Sequence, residues 1–120
     1  MRIFHYQDVE ARNAEEDVSK LRVRWLMMKE IGAENFAMRL FEIEAGGSSP
    51  FHSHAWEREV FILECDGLAV GEGGQREFRA GDVIFILPNE KHQLKNYSEK
   101  TVKFLCLVAY PDEYVRVHQR

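Results

Sequence analysis

The 120-residue chain is long enough for one domain with one core and too short for two. Hydrophobic residues make up 45% of it and charged residues 30%, the profile of a globular chain in water. A formal net charge of −4 with no basic run excludes an obvious nucleic-acid surface, and no apolar stretch approaches the roughly 18 residues a membrane helix needs.

The opening segment, MRIFHYQDVEARNAEEDV, lacks the apolar centre of a signal peptide, so the expected compartment is the cytoplasm. Asp8 to Leu21 is polar and charged, and predicts either a short helical turn or an extended lead-in. Residues 1–20 are read as that lead-in to a domain spanning 1–120. From there the pattern is that of strands separated by turns. LRVRWLMMK (Leu21–Lys29) is a strand and IGAEN a turn; FAMRLFEIE (Phe36–Glu44) is a strand, followed by the loop AGGSSP. EVFILE (Glu59–Glu64) is rich in β-branched and aromatic residues. Asp66-Gly67 and Gly73-Gly74 read as hairpin turns around the short strand LAVGE. REFRAGDVIFILPNEKH gives two strands around Ala80-Gly81-Asp82 and then a loop. HQLKNYSEK and TVKFLCLVAY are strands around a turn at Ser98-Glu99. Short strands with turns every 8–12 residues predict an all-β sandwich or barrel. Cys65 and Cys106 form no CxxC pair and are expected as free thiols.

The chemistry concentrates in GGSSPFHSHAWEREVF (Gly46 to Phe61). Read as strand residues, His52 and His54 project from one face, spaced so that both imidazoles reach one metal ion. His92 follows a Pro-containing loop and opens another strand, which an antiparallel barrel can bring beside the pair. Glu59 opens EVFILE; if it faces inward, Phe61 and Leu63 share its face.

These residues resemble the two motifs of the cupin superfamily. The first is matched by Gly46, His52, His54, Glu59 and Gly67, with Cys65 where many cupins have a glycine. The second is matched by Gly81, His92 and Asn96. Leu87 stands at that motif's proline position, with Pro88 displaced by one, and Asn89 stands at a glycine position. Asn is the best non-glycine residue for a left-handed backbone, so the turn can survive. Residues 20–110 look like the small single-domain bacterial cupins that bind manganese. The resemblance implies a double-stranded β-helix (jelly-roll) barrel, and a homodimer in which the lead-in adds a strand to the partner's sheet. It also implies a divalent transition metal on His52, His54 and His92, with manganese first and Fe, Ni, Cu, Co or Zn also suited. Those relatives carry a fourth histidine just before the position of Glu59; here it is Arg58, which stays protonated and cannot ligate a cation. Two alternatives follow: Glu59 completes the shell, or three histidines and extra water do. Strand alternation favours Glu59 inward, and there it serves as a ligand or, if not a ligand, as a base.

Around this centre, Trp56 is a candidate for the pocket mouth. Arg39 either binds an anionic substrate or sits in a salt bridge. Cys106 lines the pocket if its strand faces inward. Phe61, Leu63, Ile84, Ile86 and Leu105 read as barrel filling. His5 and His118 read as surface residues. The expected function is that of a metal-dependent enzyme, of oxygenase type, on a small, largely apolar substrate. The alternatives are a non-catalytic cupin that binds or senses a small ligand or metal, and a metal-dependent isomerase. No nucleic acid or membrane partner is expected.

Overall fold

A computed structural model of the protein describes residues 1–15 and 18–110; His118 lies outside them. Among the described residues the regular structure is strands, with two short 3-10 turns at Tyr6–Asp8 and Lys29–Ile31. The strands are β1 (Arg12–Glu15), β2 (Val18–Met27), β3 (Phe36–Ile43), β4 (Arg58–Glu64), β5 (Gly67–Gly71), β6 (Gly74–Phe78), β7 (Val83–Ile86), β8 (His92–Lys95) and β9 (Val102–Ala109). They form a six-stranded antiparallel sheet, in the order β1-β2-β3-β9-β4-β7, and a three-stranded sheet, β6-β5-β8. This is the all-β arrangement expected, and it fits a jelly roll.

Period-2 patterning decides what faces the interior. Ala37, Phe41 and Ile43 on β3 are buried, and so are Val102, Phe104, Cys106 and Val108 on β9. Phe41 and Phe104 are cross-strand partners whose rings stack at 5.1 Å. The small sheet closes over them with Phe78 and Leu94. Gly67 sits where any Cβ would run into the Phe78 ring and the Lys95 carbonyl, so the neighbouring strands of the small sheet crowd together at that point.

One expectation needs correction, the parity of β4. The strand begins at Arg58, and Val60 (2% exposed) and Ile62 (0%) point inward, whereas Phe61 (44%) and Leu63 (41%) point outward with Glu59. Both faces of REVFILE carry apolar residues, so alternation alone could not choose between them. The lead-in is extended, and its β1 pairs with β2, Arg12 opposite Val23 and Glu15 opposite Val18. Its first turn is held by Arg24, which donates to the Val9 carbonyl at 2.6 Å while pairing with Glu42 at 2.9 Å.

Candidate metal centre

His52 and His54 lie on the irregular segment between β3 and β4 rather than on a strand. One bridge fixes them. The His52 N–H donates to the His92 carbonyl at 3.1 Å, and the His92 N–H donates back at 2.9 Å. A second clamp comes from Asn89, whose φ of 66° turns its N–H onto the His54 carbonyl. The glycine position filled by Asn therefore keeps its left-handed turn.

The ligand atoms of His52, His54 and His92 all lie within 4.8 Å of one another, a group that can hold a metal ion. Nδ1 of His92 faces the Glu90 carbonyl at 2.9 Å. A carbonyl only accepts, so Nδ1 carries the proton and Nε2 keeps its lone pair, the tautomer a metal-binding histidine needs. The Nε2 atoms of His54 and His92 are buried without a hydrogen-bond partner. Buried polar atoms rarely stay unpaired, and two converging lone pairs fit a cation. Burial pushes the His52 pKa down to about 4, helped by His92 and Arg58. Burial pushes His54 down to about 3, helped chiefly by Arg58. His92 is lowered too, mainly by burial and against the pull of the Glu90 carbonyl. All three imidazoles are therefore neutral at pH 7, as metal ligation requires.

These shifts carry a sign for stability. Between about pH 4 and 6.5, the unfolded chain binds protons at His52 and His54 that the folded chain refuses. Stability of the metal-free protein is therefore lost as pH falls through that window. His54→Phe should flatten the fall in melting temperature, and an unchanged slope would show that His54 does not cause it.

The three histidines line a cavity of about 130 Å³. Its polar lining includes Arg39, Arg58 and Cys106, and its walls are apolar, with Trp25, Val60 and Phe104 among them. Arg39 is buried and donates to the Cys106 sulfur at 3.3 Å. Both residues line the cavity. Arg58 points inward, and its importance was missed. The signal was present: a position where the family resemblance implies a metal ligand is expected to face the interior.

Glu59 is not in the cluster. It lies on the opposite face of β4, along an outer groove with Glu57, Phe36 and Leu107. A hydrogen bond to Glu57 raises its pKa. Phe61 likewise faces outward, away from the cavity. Trp56 stacks on the His54 ring at 4.9 Å and otherwise borders the outer groove. Glu59→Gln should therefore leave metal content unchanged by elemental analysis; metal loss would mean that the carboxylate reaches the site.

The chain matches the cupin domain family over residues 39–108. It belongs to that family. No curated protein matched the chain. Among solved structures, this cupin is similar to the polyketide cyclase RemF of Streptomyces resistomycificus. The two are 27% identical with a TM-score of 0.84, covering 100% of this chain and 94% of that one. A protein of Thermotoga maritima described as a predicted oxalate decarboxylase is 21% identical, with a TM-score of 0.77 over 92% and 100% of the two chains. A sugar phosphate isomerase from Silicibacter pomeroyi is 17% identical, with a TM-score of 0.78 over 92% and 76%. At those identities the last two speak only for the fold.

Proposed function

We propose that this cupin is a metal-dependent enzyme acting on a small, largely apolar organic molecule. The observation that carries the reading is the convergence of His52, His54 and His92, two of them with unpartnered Nε2 atoms, on an apolar-walled cavity. A divalent transition metal held there, manganese first, would supply Lewis-acid polarisation of a substrate oxygen or a site for dioxygen. The protein's own part is to fix the ligand tautomer through Glu90, to keep the imidazoles neutral by burial, and to exclude water with its apolar walls. Those walls disfavour a sugar, and with it the isomerase reading.

The likeness to RemF over the whole chain makes cyclisation of a polyketide-like carbonyl chain the first reaction to test. An oxygenase-type reaction is the second, because three histidines leave coordination positions for both substrate and dioxygen. The test is product formation from an aromatic-type polyketide by metal-loaded protein, with and without dioxygen. Metal-dependent turnover supports an enzyme, and its oxygen requirement separates the two reactions. Tight ligand retention without turnover would replace it with the binding-module reading.

The expected homodimer has a candidate face. Phe61 and Val83 are cross-strand partners on the outer side of β4 and β7, beside Phe85. All three are exposed. A contiguous apolar patch of this kind favours association. Val83→Glu with Phe85→Glu should shift the native mass from dimer to monomer. A wild-type monomer would contradict the pairing.

A further inference from the structure

Two positive charges lie in the cavity, and the histidines do not account for them. Arg39 is 8% exposed and Arg58 is half-buried on the neighbouring wall, close enough for each to oppose the other's charge. The Nε atoms of both are buried without a hydrogen-bond partner. Among the described residues neither guanidinium makes an ion pair. Glu15 stands on the cavity wall, where its charge partly offsets that of Arg58 without an ion pair to either guanidinium. Arg39 is instead held by the Cys106 sulfur and by the Trp25 and Phe41 rings, with its guanidinium carbon 5.3 and 5.0 Å from their centroids. Those contacts orient the guanidinium but leave its charge uncompensated.

A buried charge without a counter-charge is costly, and two of like sign cost more. A divalent cation on the three histidines would add further positive charge to the same cavity. We propose that Arg39 and Arg58 form an oxyanion clamp, and that the molecule this cavity takes is an anion: a carboxylate or an enolate-type oxygen on a flat apolar body. The guanidinium suits this role because it is weakly hydrated and presents its donors as a fork to two oxygens. The volume fits the size of the body. At about 130 Å³ the cavity is close to the roughly 150 Å³ that holds a benzene ring, so one ring or one end of a longer molecule enters. Arg58 then serves the bound molecule rather than the metal.

This inference rests on the reading of the cavity as a small-molecule site, and it is tested apart from the metal. Benzoate and para-nitrophenolate stand for the carboxylate and the enolate; benzyl alcohol is the neutral control. Calorimetric titration is run on the wild type, Arg58→Met, Arg58→Lys and Arg39→Met, with metal content measured on each sample. One of the two anions should bind at least tenfold more tightly than benzyl alcohol. Each methionine variant should lose roughly 10- to 100-fold of that affinity while keeping its metal, and Arg58→Lys should recover part of it. Which anion loses more identifies the oxygen recognised. If Arg39→Met fails to fold, Arg58→Met decides alone. Anion binding that is absent, no stronger than that of benzyl alcohol, or unchanged in Arg58→Met overturns the clamp; the last would place the anion on the metal alone. Arginine-dependent binding in protein that takes up no metal would keep the clamp and sink the metal reading.

Discussion

His92→Ala should lower the affinity of this cupin for a divalent transition metal by more than about 100-fold, the upper end of what loss of an outer-shell partner costs. His92 joins the two halves of the site. Its backbone is bridged to His52, and its ring is aimed by the Glu90 carbonyl, which holds Nδ1 at 2.9 Å. Its Nε2 is buried and unpartnered, so it has no other bond to lose. Alanine keeps the bridge, because that bond is made by the backbone. The metal-free variant should therefore melt close to the metal-free wild type, while the stabilisation added by metal disappears. Competition titration against a chelator measures the first effect and paired melting curves the second. Near-stoichiometric metal in His92→Ala would remove this residue from the centre.

The second large effect lies away from the cavity. Asn96→Ala should cost about 2–4 kcal/mol of stability, as buried carbonyls and donors lose their partners. The Asn96 side chain is 2% exposed and makes four hydrogen bonds. Its Nδ2 donates to the Ile43 carbonyl at 2.9 Å and to the Lys100 carbonyl at 2.6 Å. Its Oδ1 accepts from the Ser98 N–H at 2.9 Å and from the Ser98 hydroxyl at 2.6 Å. One side chain thus ties the end of β3 to the turn between β8 and β9. Alanine strands the Ile43 carbonyl in the core. For a domain of this size the melting temperature should fall by roughly 8–16 °C. Asn96→Asp should be no better, because it loses both donors and buries a charge. A change within about 0.5 kcal/mol, the range of ordinary surface substitutions, would refute this role for Asn96.

Asn96 also shows how much of this protein is legible in its sequence. The motif spacing singled it out beside His92, but spacing does not separate a ligand from a brace. Its four bonds make it a brace. The strands were legible because Gly, Pro, Asn and Asp punctuate apolar runs, as at Ala80-Gly81-Asp82 before Val83. The three histidines were legible because few other arrangements ask for that spacing with that loop chemistry. What stayed hidden was the parity of β4, where Val60 and Ile62 compete with Phe61 and Leu63 for the core. The error travelled from there. Glu59 was expected among the ligands, and Arg58 was treated as a gap in the shell rather than as a cavity side chain. The partners of Arg39 were hidden for another reason. Cys106 is 67 residues away in sequence, and only the antiparallel pairing of β3 with β9 sets the two opposite each other.

In the proposed metal centre His52, His54 and His92, without Glu59, are the protein's ligands. The most direct test is X-ray absorption at the edge of the bound metal, on untagged wild type and on Glu59→Gln. Three imidazoles in the coordination shell and identical spectra for the two proteins are the expected result. A protein that binds no transition metal, or a shell that changes when Glu59 is replaced, would contradict it.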